Sequence, residues 1–184
     1  MHKPNLHQPS VPQRADEIFD IVDANDRVIG QATRKDVHAQ RLWHRATHVV
    51  MHNTEGKVFL QKRSMQKDSS PGRWDSSCSG HLDTGEDYPA AAVRELREEI
   101  GINVSADRLV HRLRLRPEPD TGWEFVSIFT LQCDDQPSVN PAEIERGDWF
   151  WPDEISAAMR LRPDDFTPAF RLHWPETRGW IEKR

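Results

Sequence analysis

Three glutamates fall close together in the stretch Arg94-Glu95-Leu96-Arg97-Glu98-Glu99-Ile100-Gly101-Ile102. On a helix, positions i, i+3 and i+4 share a face, so Glu95, Glu98 and Glu99 project together. At about 100° per residue, Val93, Leu96 and Ile100 form a separate apolar stripe that faces a core. Carboxylates packed this closely repel one another unless cations lie between them. Hard divalent cations that prefer oxygen, Mg²⁺ above all and Mn²⁺ with it, resolve that conflict and bridge to phosphates. Arg94 can tether one carboxylate through a bidentate bond and fix its orientation. The plain alternative is a solvated acidic helix face laced with i,i+4 pairs. Gly80, Glu86 and Gly101, each at a fixed distance from the glutamates, argue against it.

Read from Gly80, the pattern is Gly80-x5-Glu86-x7-Arg94-Glu95-Leu96-x-Glu98-Glu99-x-Gly101-Ile102. It resembles a complete Nudix box with every fixed position filled. Ordinary residue frequencies put a chance match in a chain of this size well below roughly one in a million. The surrounding segment, about 46 to 155, is also similar to that family's α/β/α sandwich. The resemblance implies hydrolysis of a nucleoside diphosphate linked to some moiety X, or of a related small-molecule diphosphate. It implies that Glu95, Glu98 and Glu99 are metal ligands together with the Gly80 carbonyl. Glu86 would support the metal site and Arg94 would orient Glu95. Water attacks phosphorus in such a site, and divalent cations neutralise the charge that builds up and lower the pKa of a bound water. A carboxylate takes the proton. Two residues stand open for that base, Glu98 on the helix and Glu143 in the loop Asn140-Pro141-Ala142-Glu143. The resemblance allows a homodimer without requiring one.

Neighbouring residues carry weaker signals. Arg63 ends a strand-like segment where family members place a cation for substrate phosphates, and Trp74 sits where they often have an aromatic. Both are substrate-binding candidates, with Glu124, and each has a duller reading: surface cation, core plug, lone acid. His38, His44, His48 and His81 also cluster around the box in sequence. His44-Arg45-Ala46 and Ser79-Gly80-His81 resemble segments of isopentenyl diphosphate isomerase, which shares the Nudix fold. In that enzyme histidines bind a metal, and a cysteine beside the Gly-His pair does acid/base work. Here that position is Ser79, and Cys78 lies one residue early. Because strand side chains alternate, Cys78 is expected on the opposite face. Glu124 also lacks a second acid two residues before it, where Gly122 stands. His44 and His81 therefore read as packing or hydrogen-bonding residues. Isomerase-like activity and a non-catalytic nucleotide sensor remain the two competing readings, and the intact set of carboxylates argues against both.

The elements that must position these residues follow from local pattern. Residues 17–22 and 27–33 form an N-terminal β-hairpin around Asp23-Ala24-Asn25-Asp26. Residues 46–52 and 57–62 read as strands joined by Asn53-Thr54-Glu55-Gly56, then a polar loop over 65–72 and a short strand over 74–79. Asp87 caps the acidic helix, Pro89 suits its first turn, and Gly101 stops it. Strands follow over 108–115, 124–131 and 148–151, and helices over 152–159 and 168–174. The whole reads as an α/β protein: a Nudix-type α/β/α sandwich with a mixed sheet, the added hairpin and C-terminal helices. Residues 1–16 are expected to be a flexible tail. Residues 17–184 are expected to be one domain, with the hairpin over 17–36, a core over about 44–155 and a helical segment over 156–184.

At 184 residues the chain can bury one full core, and a second would be a squeeze. Mean hydropathy is −0.80, and no apolar run approaches the roughly 18 residues a spanning helix needs, so no membrane association is expected. The first 14 residues lack the apolar centre of a secretory signal. A net charge of −5 offers no footprint for general nucleic-acid binding. Two cysteines make no disulfide framework and fit a reducing cytoplasm.

Overall fold

The computed structural model describes residues 14–182, so residues 1–13, most of the expected tail, lie outside it. Arg14 to Glu17 form a turn closed by Glu17 N–H donating to the Arg14 carbonyl at 3.1 Å. The chain then makes the expected hairpin of β1 (Ile18–Val22) and β2 (Val28–Thr33), paired antiparallel. Directly after it comes α1 (Arg34–Gln40), which the sequence pattern did not reveal. Thr33 caps α1 by accepting from Asp36 N–H, Arg41 closes it in the left-handed region (φ 55°), and Val37 is fully buried beneath it. A helix this short shows too few apolar repeats to be read from periodicity, and its stop is an arginine where glycine is the usual signal.

The main sheet is mixed and seven-stranded. Its centre is β3 (His44–His52), which pairs in parallel along its whole length with β8 (Glu124–Gln132). The outer neighbour of β8 is the antiparallel β7 (Val110–Leu115). On the other side, β3 meets β4 (Val58–Arg63) at one pair only, His52 with Val58, and the two strands then diverge. Beyond the fork β3 pairs with β6 (Cys78–His81), while β4 pairs with β5 (Trp74–Asp75) and β9 (Ile144–Phe150). The single strand expected over 74–79 is thus two, because the chain crosses the fork at Ser76-Ser77. Ser77 satisfies backbone groups that lost ladder partners there: its hydroxyl donates to the Phe59 carbonyl and accepts from Met51 N–H at 2.7 Å.

Helices cover both faces, as a sandwich requires. The acidic helix, α2 (Tyr88–Ile100), buries Ala91, Ala92, Leu96 and Ile100 against Val49, Met51, Phe59 and Phe129. The opposite face carries α3 (Pro152–Leu161) and α4 (Pro168–Glu182), whose Ile155, Phe170 and Trp174 pack on Val50, Val58 and Leu60. Strand alternation makes this division: Val49 and Met51 face α2, and Val50 between them faces α4.

β9 and α4 run furthest beyond their expected ends. β9 begins at Ile144 rather than 148, hidden by the polar run Glu145-Arg146-Gly147-Asp148. Gly147 is required there, since a Cβ would lie 2.1 Å from the Phe59 ring. α4 continues through Pro175, where a stop was expected. An internal proline costs about 3 kcal/mol. Burial of Ile181, the His173–Thr177 bond at 3.0 Å and the Arg178–Asp153 ion pair at 2.7 Å hold the second half in place. Both cysteines are free and buried. No described helix is long and apolar enough to cross a membrane.

Candidate active site

The geometry begins with how α2 is held. Asp87 accepts from Ala90 N–H at 2.9 Å, and Gly101 (φ 70°) ends the helix with its N–H on the Arg97 carbonyl. Pinned at both ends and along its apolar face, α2 directs Glu95, Glu98 and Glu99 into one cavity of about 670 Å³. The volume suits a ligand the size of a nucleotide. Their settings differ. Glu99 is buried, Glu95 keeps 12% of its side chain exposed, and Glu98 keeps 38%.

Arg94 connects the group. It donates to both Glu86 oxygens at 3.1 and 2.9 Å, to Glu95 Oε1 at 2.7 Å and to the His81 carbonyl at 2.9 Å. Burial works against its charge, but Glu86, Glu95 and Asp83 outweigh that and raise its pKa further. Glu86 also accepts from Asp83 N–H at 3.0 Å, so the guanidinium is held at the loop before α2. Gly80 faces Glu95 so closely that a Cβ would lie 2.0 Å from its Oε1. Only glycine admits that carboxylate. Burial, then the charge on Glu99, pushes Glu95 up to about 8. Burial likewise raises Glu99, against the opposing pull of Lys67. Glu99 Oε2 accepts from Ser79 N–H and from Gln61 Nε2, each at 3.0 Å.

The opposite wall carries cations. Arg63 lies at the cavity, with Nε on the Ser69 carbonyl at 3.1 Å and Nη1 3.4 Å from Asp75. Asp75, buried, also accepts from Thr167 at 2.9 Å and from Ser76 N–H at 2.8 Å, tying β5 to the start of α4. Lys67, on the loop after β4, sits between Glu143 and Glu99, ion-paired to the first and 3.6 Å from the second. Glu143 is a loop residue that lines the cavity. Trp74 is not at the cavity. Alternation in β5 turns Asp75 inward and Trp74 away, to pack edge-on against Phe150 at 5.1 Å beneath the Arg146 guanidinium. Of the two readings of Trp74, its packing fits the core plug and not the substrate contact.

A third wall comes from the hairpin, α1 and β8. Glu124 Oε1 lies 3.0 Å from His81 Nε2 and 3.3 Å from His44 Nε2, while His44 Nδ1 is 2.9 Å from the Leu42 carbonyl. Phe19 stacks on His81 at 4.6 Å, and Arg34 Nη1 lies 3.2 Å from His81 Nδ1. Burial alone would raise Glu124, but the hydrogen-bonding imidazoles of His81 and His44 hold it below the usual carboxylate range. Burial in turn drives His81 down to about 3, so near neutrality a neutral imidazole faces a carboxylate. Nitrogens of His38, His44 and His81 lie within 4.8 Å of one another, close enough to share a metal ion. Cys78 takes no part: it is fully buried under α2, and burial raises its thiol well above the usual range. Lys67, Arg34 and Asp75 are the site residues that sequence reasoning missed. Each belongs to the site only through tertiary contacts, and no local spacing announces them.

A family model described as the NUDIX domain matches residues 42–170. An uncharacterized Nudix hydrolase from Yersinia pestis is 36% identical, covering 85% of this chain and 83% of its own length. An isopentenyl-diphosphate Delta-isomerase 2 from Photorhabdus laumondii is 32% identical over 85% of this chain and 89% of its own. The crystal structure of DR0079 from Deinococcus radiodurans matches with a TM-score of 0.67 at 29% identity, covering 79% of this chain and 90% of that one.

Proposed function

The chain belongs to the Nudix family, and from that premise we propose that it is a divalent-metal-dependent hydrolase of a diphosphate linkage. The substrate class is a nucleoside diphosphate derivative or a related organic diphosphate. One observation carries this reading: Glu95, Glu98 and Glu99 converge on a single cavity with Gly80 opposite and Arg94 locked behind them.

The donor set fits Mg²⁺ or Mn²⁺. Glu95 and Glu99 are carboxylates that burial and mutual repulsion keep from ionising freely, a conflict that a hard cation removes. The absent Cβ at Gly80 keeps open the approach between its backbone and Glu95. Glu95, Glu98, Glu99 and the Gly80 carbonyl would hold the metal, which would supply charge neutralisation at phosphorus and a more acidic water. The protein's own groups do the rest. Arg94 fixes Glu95, and Glu86 fixes Arg94. Glu98 serves as the general base in this reading, because it is the most exposed of the helix carboxylates. Arg63 and Arg34 line the cavity and offer positive charge to phosphates. Arg34 Nε makes no hydrogen bond among the described residues and has the Asp68 carboxylate 3.8 Å away.

The test is a panel of diphosphate compounds with Mg²⁺ and Mn²⁺, reading released phosphate with and without a coupled phosphatase. Glu98→Gln should lower kcat on the best substrate on the order of 10²–10³-fold. Full turnover by that variant would overturn the assignment. The isomerase-named relative and the imidazoles around Glu124 favour a second reading, isomerisation of isopentenyl diphosphate. Its thiol is missing from the cavity, where Ser79 stands and Cys78 points away. No dimethylallyl diphosphate is expected from isopentenyl diphosphate, and its appearance would reverse the order of the two readings.

A further inference from the structure

One cation in the cavity stands where a metal ion would be needed. Lys67 is almost completely buried, yet its ammonium meets two carboxylates rather than solvent: it is ion-paired to Glu143 and lies 3.6 Å from Glu99 Oε1. The other Glu99 oxygen is committed to Ser79 N–H and Gln61, so Oε1 is the one left to face a cation. The second cavity cation nearby, Arg63, is held away by Ser69 and Asp75. Without a counter-charge, Glu99 and Glu143 would repel each other, and Glu143 raises the cost of ionising Glu99.

The backbone that carries Lys67 is fixed. Ser64 N–H donates to the Glu143 carbonyl at 2.9 Å, Gly72 N–H to the Arg63 carbonyl at 3.1 Å, and Lys67 N–H to the Ser64 carbonyl at 3.2 Å. The loop is thereby stitched to the very turn that presents Glu143. A lysine on such a base keeps one freedom, its four-carbon stem with a compact, rotatable charge at the tip. A doubly charged ion arriving at Glu99 repels an ammonium a few ångströms away in a site of low dielectric. The cavity is the open direction for that ammonium, and a bound diphosphate would draw it there.

We propose that Lys67 is the resident counter-ion of the metal site: it bridges Glu99 and Glu143 until a divalent cation displaces it into the cavity, where it becomes a contact for the phosphates of the substrate. This rests on the reading of Glu95, Glu98 and Glu99 as the metal-binding face. Lys67 is then a competitor of the metal and an ally of the substrate, so removing its charge moves two affinities in opposite directions. A purely structural lysine moves neither in that pattern.

The experiment measures Mn²⁺ binding alone, by titration calorimetry or the loss of the free-ion paramagnetic signal, and then binding of methylenediphosphonate at saturating Mn²⁺. Lys67→Met keeps the stem and removes the charge, and Lys67→Arg keeps the charge. Lys67→Met should bind Mn²⁺ about fivefold or more tighter than the native chain and methylenediphosphonate about tenfold weaker. Lys67→Arg should return Mn²⁺ affinity to within about twofold of native. Unchanged or weaker Mn²⁺ binding by Lys67→Met, with native binding abolished by Glu98→Gln, would overturn the role of Lys67 and leave the metal site standing. Native binding untouched by Glu98→Gln and by Glu95→Gln would overturn the metal-site reading, and the proposal with it. Lys67→Gln, checked for native circular dichroism, replaces Lys67→Met should the methionine variant fail to fold.

Discussion

At the scale of single residues, the narrowest tolerance is at Gly80. Its missing side chain is the space that Glu95 occupies, with 2.0 Å between a built Cβ and Oε1. Gly80→Ala is therefore expected to push Glu95 out of line, weakening Mn²⁺ binding at least about tenfold and costing about 1–3 kcal/mol in stability. Calorimetric titration and a urea melt check the two parts, and native Mn²⁺ affinity in Gly80→Ala would show the approach to be incidental. This neighbourhood was legible in the sequence because its chemistry is local. A helix fixes the relation among Glu95, Glu98 and Glu99, and a short loop fixes Gly80 and Glu86 against it. The side that Trp74 takes was open in the sequence for the opposite reason. Its side depends on where β5 begins, and a strand of two residues gives alternation almost nothing to read. Lys67, Arg34 and Asp75 come from a loop, a short helix and a strand end whose convergence no spacing encodes.

At the scale of elements, the turn of the hairpin is tied to the sandwich through one side chain. Asp26, at a left-handed turn position (φ 61°), accepts from Arg45 at 2.6 Å, Arg114 at 2.7 Å and Tyr88 at 2.9 Å. Asp26→Ala leaves two guanidiniums unpaired and should cost on the order of 2 kcal/mol, less than a fully buried pair because Arg114 is 41% exposed. Amide exchange should accelerate in β1, β2 and α1 before the rest of the molecule. Uniform acceleration would mean that the hairpin does not open by itself. On the far face, α4 is anchored by a buried chain from His48 through Ser76 to His173 and Thr177, each link about 3 Å. Burial, then the neighbouring His48, holds His173 well below 6.5. The unfolded chain takes up that proton as pH falls through about 6.5 while the folded chain resists, so stability is lost progressively below it. His173→Gln should be less stable at pH 7.5 by about 1 kcal/mol yet lose less between pH 7 and 5. Equal pH slopes in urea melts would dismiss His173 as the source. The fold class, the hairpin and α2 could be read from turn residues and periodicity. The extent of α4 could not, because Pro175 is a local stop that distant packing overrides.

At the scale of the whole molecule, a chain of net charge −5 sets a group of acidic side chains around the cavity proposed for an anionic ligand. If the proposed metal site holds, that arrangement ties folding to metal. A cation that binds only the folded form stabilises it by about 2.7 kcal/mol at a hundred times its dissociation constant. For a chain of this size that is a rise in Tm of roughly 5–10 °C. Mn²⁺ should produce such a shift and a chelator should reverse it, whereas Glu95→Gln should show little of either in a thermal scan. Equal shifts in both proteins would place the ion elsewhere. The cavity also joins the two ends of the described chain: Arg14, Glu17 and Arg34 lie on one side, and Thr167 with the start of α4 closes Asp75 on the other. A ribosome working along the message therefore releases the acidic helix long before the pocket around it exists. On the proposed reading the cavity is complete only once α4 has emerged and docked, so a chain cut before α4 is expected to be inert.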